Sequence, residues 1–354
     1  MQFSTTSTTQ PAPAALREQA LHHPRIGTVF TDHMVTIQWT AENGWHDARV
    51  RPREPFSLDP ASAVLHYGQE IFEGMKAYGQ PDGSVALFRP EENARRFNAS
   101  ASRMSMPTIP ESVFVDAIEQ LLRMDGAWVP KGAGTSLYLR PFMFATESFL
   151  GVRPATQFTF CVIASPAGAY FKGGAKPIAV WVSERYTRAA RGGTGAAKCG
   201  GNYAAGLTAQ AEAIRNDCDQ VVFLDAAEGR WIEELGGMNV FFVVDGVLVT
   251  PSLGTILPGI TRDSIIGLAK RRGVRVEEKP YSFDEWREDA ATGRLTEAFA
   301  CGTAAVIAAI GKVRFDGGEF TIPAGPLTDA LRDELVGIQR GVVADELNWT
   351  WRVK

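Results

Sequence analysis

The chain has 354 residues, 45% of them hydrophobic and 21% charged, with a formal net charge of −4. These proportions exclude a disordered chain, a fibrous repeat and a small disulfide-stapled scaffold, and the acidic balance offers nothing to attract nucleic acid. The length predicts two domains or one large one, and the 35 glycines exceed ordinary usage of about 7%, so where they fall is informative.

The opening MQFSTTSTTQPAPAA lacks the basic and apolar regions of a signal peptide. Residues 1–25 read as a flexible tail, residues 1–12 most clearly. A small α/β domain follows over 26–165. Its strands are expected at 28–39, 84–88, 136–144 and 157–165, where β-branched and aromatic residues concentrate. Helices are expected over 91–104 and 111–128. Three glycines and two prolines in PAGAYFKGGAKP mark 166–177 as an interdomain linker. A large domain over 178–354 opens with a strand at 178–182. Its next helix has Asn202 as the expected N-cap and Leu207, Ala211 and Ile214 as its apolar stripe. Strands at 220–224, 238–244 and 247–250 precede a helix through Lys270, for which Thr261 is the expected cap. A last helix covers about 327–340. Strands and helices alternate without a strict βαβ rhythm, so the fold class is α+β or mixed α/β.

No run of 18 apolar residues exists; 238–244 and 298–311 are too short or interrupted to span a bilayer, so no membrane partner is expected. Cys161, Cys199, Cys218 and Cys301 form no Cys-x-x-Cys pair. No metal site is expected from them, and reduced thiols in a cytoplasm fit best.

The segment 191-RGGTGAAKCGGNYAA-205 places five glycines around Lys198. A phosphate loop would need Gly-Lys-Ser/Thr, but Ala197 precedes the lysine and Cys199 follows it. A dinucleotide fingerprint fails too, because Lys198 stands where the third glycine belongs. What remains is a lysine on a glycine-lined loop: a Schiff-base nucleophile, or an ordinary exposed lysine. In 232-IEELGGMNVFFV-243 two glutamates precede a Gly-Gly and an apolar strand, as solvated turn residues or as partners of a cation in a site. In 136-SLYLRPFMFATE-147 the strand period puts Tyr138, Arg140 and Phe142 on one face, where Tyr138 and Arg140 could bind a carboxylate or meet a surface acid. Pro141 suggests an edge strand or a strand end. The turns in 257-LPGITRD-263 and 301-CGTAAV-306 can expose backbone N–H groups to an anion. Arg89, Arg95 and Arg96 cluster on one helix.

Taken in order, 65-LHYGQEIFEGMKAY-78, FRPEENARRF, SLYLRP, GAYFKGG, GGTGAAKCGGNYAA, EELGGMN, LPGITRD and CGTAAV resemble the branched-chain amino acid aminotransferases. These are fold-type IV, class IV pyridoxal-phosphate enzymes. The resemblance runs from about residue 30 to the C-terminus. It implies two domains with the active site at their interface, and transfer of an amino group between leucine, isoleucine or valine and 2-oxoglutarate. It also implies a homodimer with shared sites. Lys198 matches the lysine that forms the internal aldimine with the cofactor, and the transfer is implied to pass through a pyridoxamine intermediate. Tyr203 matches the tyrosine at the ring hydroxyl, Glu234 the glutamate at the pyridine nitrogen, and Arg96 the phosphate arginine. Ile260 and Thr261 match the backbone phosphate cup and Thr303 the hydroxyl beside it. Arg188 matches a second cofactor-site arginine. Thr303 and Ala304 match the turn for the substrate α-carboxylate, and Phe72, Tyr138 and Tyr170 the pocket wall. Tyr67, Arg140 and Val152 resemble groups brought in from the partner subunit, with Arg140 meeting a substrate γ-carboxylate. The sequence departs from the family at Ala305 and Ala308, where some members carry redox cysteines, and at Gly237, often threonine. D-amino acid aminotransferases and aminodeoxychorismate lyases share the lysine and glutamate, but SLYLRP and EELGGMN favour the branched-chain group.

Overall fold

The computed structural model describes residues 1–168 and 176–353. Tyr170, Gly173, Gly174 and most of the expected linker lie outside the described residues. The architecture is mixed α/β, in two compact units. One comprises 1–170, 197–200 and 337–354; the other comprises 171–196 and 201–336.

The first unit is built on a nine-stranded sheet. Its order is Ser4–Thr5, Gly44–Pro52, His33–Thr40, Gln157–Ala167, Ser136–Ala145, Met75–Gly79, Val85–Phe88 and Thr350–Arg352, with Glu70–Phe72 also on Ser136–Ala145. Helices Pro90–Arg103 and Glu111–Asp125 supply the rest of the core. Phe97, Phe114 and Phe160 meet there with ring centroids 5.3–5.8 Å apart. Each such burial stabilises the fold by about 1.5–3 kcal/mol. Helix Pro90–Arg103 starts on a proline, carries Glu91 and Glu92 in its first turn and ends on Arg103, all favourable to its dipole. Its inward face holds apolar Ala94 and Phe97 beside polar Asn93, Arg96 and Ser100. That polar set is unusual in a core and needs partners.

Strand Ser136–Ala145 alternates as the period predicts. Leu137 and Leu139 are fully buried, while Tyr138, Arg140 and Phe142 face the less covered side. Pro141 is nonetheless at neither an edge nor an end. It sits mid-strand, opposite the break between Glu70–Phe72 and Met75–Gly79, where Glu73 N–H donates to its carbonyl at 2.7 Å. The missing proline N–H is tolerated because the neighbouring ladder is interrupted there.

The second unit has its own nine-stranded sheet. The order is Ile232–Leu235, Gln220–Leu224, Ile178–Ser183, Val306–Phe315, Leu295–Gly302, Asn239–Val244, Val247–Thr250 and Val276–Glu278, with Gly318–Thr321 on Val306–Phe315. Asn239–Val244 is buried at every position, which explains its unbroken apolar run after Asn239. Phe242 packs on Tyr281 and Trp286 at 4.6 and 5.1 Å.

Four expectations need correction. Residues 1–25 are not a featureless tail: Ser4–Thr5 pairs with Arg49–Val50, and Ala14–His22 is helical. The C-terminal residues join the first unit, because Thr350–Arg352 pairs with Val85–Phe88. Asn202 and Thr261 lie inside the first turns of helices Gly200–Arg215 and Ile260–Arg271 and do not cap them; Asn202 instead fastens to Thr194. Finally, Leu207 and Ile214 are 67% and 63% exposed, and the helix packs through Ala209 and Ala213. Those alanines belong to a cluster with Trp181 and Phe223, where small side chains allow close approach. Among the described residues, no helix is long and apolar enough to cross a membrane.

Candidate active site

Lys198 belongs by packing to the first unit, although the sequence suggests the second domain. Ala197 and Cys199 are buried in the first core. The backbone of Lys198 donates to Ser100 Oγ at 2.9 Å, and its carbonyl accepts from Phe72 N at 3.0 Å. Gly200 N–H donates to the Glu70 carboxylate, which thereby caps the following helix. Burial raises the Glu70 carboxyl above its usual range, against the opposing Gly200 hydrogen bond and Arg140 charge. The Lys198 ammonium lies 5.1 Å from the Phe72 ring centroid.

Around the same ring stand Tyr138 and Arg140. The Arg140 guanidinium is 4.7 Å from the Phe72 centroid, and its Nη2 donates to Tyr138 Oη at 2.9 Å. Arg140 Nε is buried with no hydrogen-bond partner among the described residues. A Cβ at Gly74 would collide with the Tyr138 hydroxyl, so glycine is required for this approach. Arg140 therefore gathers with Phe72 and Tyr138 of its own chain.

Arg96, 9% exposed, is gripped by Glu73, a carboxylate with no exposure at all. Arg96 Nε and Nη2 donate to its two oxygens at 2.7 and 2.8 Å, and Asn93 adds a third bond at 2.7 Å. Burial opposes the charge on Glu73, but Arg96, Lys198 and Asn93 outweigh it and hold its carboxyl below the usual range.

In the second unit, Glu234 is buried and surrounded by donors. Arg188 Nη1 lies 2.9 Å from Oε1, Leu257 N–H donates to Oε1 at 3.0 Å, and Asn239 Nδ2 donates to Oε2 at 3.0 Å. Arg188 also meets the carbonyls of Gly195 and Thr255 at 3.2–3.3 Å. The structure thus makes Arg188 the counter-ion of Glu234. A Cβ on Gly259 would strike the Asn239 amide, so this glycine keeps the Glu234 support in place. Gly259 is also the N-cap of Ile260–Arg271 and offers no capping side chain, which leaves the first-turn N–H groups of Ile260 and Thr261 suited to an anion. Tyr203 packs toward Gly237, whose Cβ position is 3.7 Å from Tyr203 Cε1. Thr303 and Ala304 lie on the turn between Leu295–Gly302 and Val306–Phe315. Val306 ends that turn at φ 63°, a strained value for a β-branched residue.

Tyr67 and Val152 are both exposed on the first unit. Val152 is 91% exposed, and Tyr67 stacks on Phe149 with centroids 6.1 Å apart. The motif reading passed over Glu73, Asn93, Ser100 and Asn239. A signal existed for two of them: Glu73 is an acid beside Phe72 in a segment that becomes core, and Asn239 is the polar start of an apolar strand.

Residues 70–313 match the family Amino-transferase class IV. The chain is 54% identical over 362 residues to a branched-chain-amino-acid aminotransferase of Mycolicibacterium smegmatis, covering 100% of this chain and 98% of that relative. It resembles a solved branched-chain aminotransferase of Thermoproteus uzoniensis, crystallised with norvaline, at TM-score 0.76 and 26% identity, covering 91% of this chain and all of that one. It also resembles the branched-chain amino acid aminotransferase of Thermobaculum terrenum in its PLP-bound holo-form, at TM-score 0.71 and 27% identity over 90% of this chain and 98% of that one.

Proposed function

This chain belongs to the class IV aminotransferases, and from that premise we propose that it transfers an amino group between leucine, isoleucine or valine and 2-oxoglutarate with pyridoxal 5′-phosphate as cofactor. The observation that carries the substrate reading is Arg140: a guanidinium whose buried Nε has no hydrogen-bond partner among the described residues, set against the rings of Phe72 and Tyr138. An apolar wall suits a branched side chain, and the arginine at its edge suits a dicarboxylate.

The residues fit the cofactor. Glu234 is a buried acceptor fixed by three donors, as a carboxylate facing a protonated ring nitrogen must be. The helix beginning at Ile260 lacks a capping side chain, as a phosphate cup requires. Bound pyridoxal phosphate supplies the electron sink that lets an amino acid lose its Cα proton. Lys198 Nζ is the group to hold the cofactor and, once released, to carry the proton at the substrate Cα. Glu234 holds a proton at the ring nitrogen, and Arg188 keeps Glu234 oriented. Arg96, the N–H groups of Ile260 and Thr261, and the Thr303 hydroxyl bind the phosphate. Tyr203 bonds the ring hydroxyl. Thr303 and Ala304 receive the α-carboxylate, with Phe72 and Tyr138 as the pocket wall. Initial rates with 2-oxoglutarate and a panel of amino donors test the reading. Leucine, isoleucine and valine are expected to lead, and D-alanine as the preferred donor would refute it.

The proposal includes a homodimer to which Tyr67 and Val152 contribute across the interface. Its support is the exposed apolar surface of Leu65, Tyr67, Leu150 and Val152 in one unit and of Leu207 and Ile214 in the other. Val152→Glu is expected to weaken the dimer by about tenfold or more in sedimentation velocity, with activity falling in parallel. Unchanged sedimentation at low concentration would count against it. The buried, unbridged cysteines suit the cytoplasm as the working compartment.

A further inference from the structure

Three inward positions of helix Pro90–Arg103 act on one small region. Asn93 and Arg96 both grip Glu73, and Ser100 accepts from the Lys198 backbone. Glu73 itself follows Phe72, whose N–H donates to the Lys198 carbonyl. The Arg96 fork is engaged by Glu73 through both Nε and Nη2, which fixes the plane of its guanidinium. A fork held at two points cannot rotate, whereas an arginine on a free stem samples many rotamers. The charged groups of the first unit in this region are Glu73, Arg96 and Lys198, with Glu70 and Arg140 on the neighbouring strands and Lys76 on the strand after Glu73. Glu73 is the wholly buried acid of this set.

We propose that Glu73 is a positioning residue for transamination, which orients Arg96 toward the cofactor phosphate. The inference rests on the cofactor reading above. The fork geometry, held by the charged Glu73 carboxylate, governs how tightly the cofactor is held.

Glu73→Gln removes the charge while keeping the shape. Purified cofactor-free protein is titrated with pyridoxal phosphate, and its melting temperature is measured beside the wild type. Glu73→Gln is expected to raise the cofactor dissociation constant by about tenfold or more. Glu73→Asp keeps the charge but withdraws the fork, so its affinity is also expected to fall. It carries the test if the glutamine variant does not fold. A Glu73→Gln protein that melts earlier yet binds cofactor normally overturns the proposal, since a purely structural acid behaves that way. An aspartate variant with unaltered affinity overturns the positioning role. If the wild-type chain takes up no pyridoxal phosphate, the cofactor reading falls and this inference with it. If the wild type loads and Glu73→Gln matches it, this inference falls alone.

Discussion

Lys198→Ala is expected to leave a folded protein with turnover reduced by at least about 10⁴-fold. Folding survives because the anchors of this segment are backbone groups: the bonds to Ser100 and Phe72 do not use the lysine side chain. The catalytic loss is large because one amine performs two tasks, covalent attachment and proton transfer, and a positioned general base alone is worth roughly 10²–10⁴. Lys76 offers a useful control. Burial pushes its ammonium down to about 8, so its amine is partly neutral, and it lies in register with Tyr138. Borohydride reduction of the cofactor-loaded wild type, followed by peptide mass spectrometry, is expected to mark Lys198 and leave Lys76 unmodified. A reducible adduct that persists in Lys198→Ala would overturn the assignment.

The second large effect is selective. Arg140→Ala is expected to lower kcat/KM for 2-oxoglutarate by about 10²–10³ and for leucine by less than about tenfold. The asymmetry follows from what Arg140 touches. Its Nη2 is occupied by the Tyr138 hydroxyl, its face by the Phe72 ring, and its Nε has no partner among the described residues. A buried donor without an acceptor costs about 1–3 kcal/mol, and an arriving carboxylate relieves that cost where an alkyl chain does not. Loss of the guanidinium therefore removes an interaction that dicarboxylates make and branched alkyl groups lack. Equal losses for both substrates in steady-state kinetics would refute the role. Arg140→Lys is expected to recover only part of the dicarboxylate activity, because an ammonium cannot reproduce the planar fork.

Much of the fold was legible locally. The strands Gln220–Leu224 and Val247–Thr250 have the bounds that pattern alone assigns, and helix Pro90–Arg103 differs by one residue at each end. The candidate site was read from the most peculiar points of the sequence: Lys198 among glycines, and the paired glutamates before Gly236. Other readings failed for a common reason. Periodicity at Leu207, Ala211 and Ile214 reports that an apolar stripe exists, but not whether the same chain covers it. Pro141 reports a missing N–H, but not that the facing ladder is broken at Glu73.

The sequence by itself determined the mixed α/β class and the membership of the aminotransferase family. Tertiary structure decided which groups support the candidate site residues. It drew Lys198 into the first unit, gave Arg188 to Glu234 and Arg96 to Glu73, and set Arg140 beside Phe72 of its own chain. The physical reason is burial. A charged group taken out of water must find a partner, and that partner is chosen by which strands and helices pack together, over separations of 23 residues for Glu73 and Arg96 that no local pattern records.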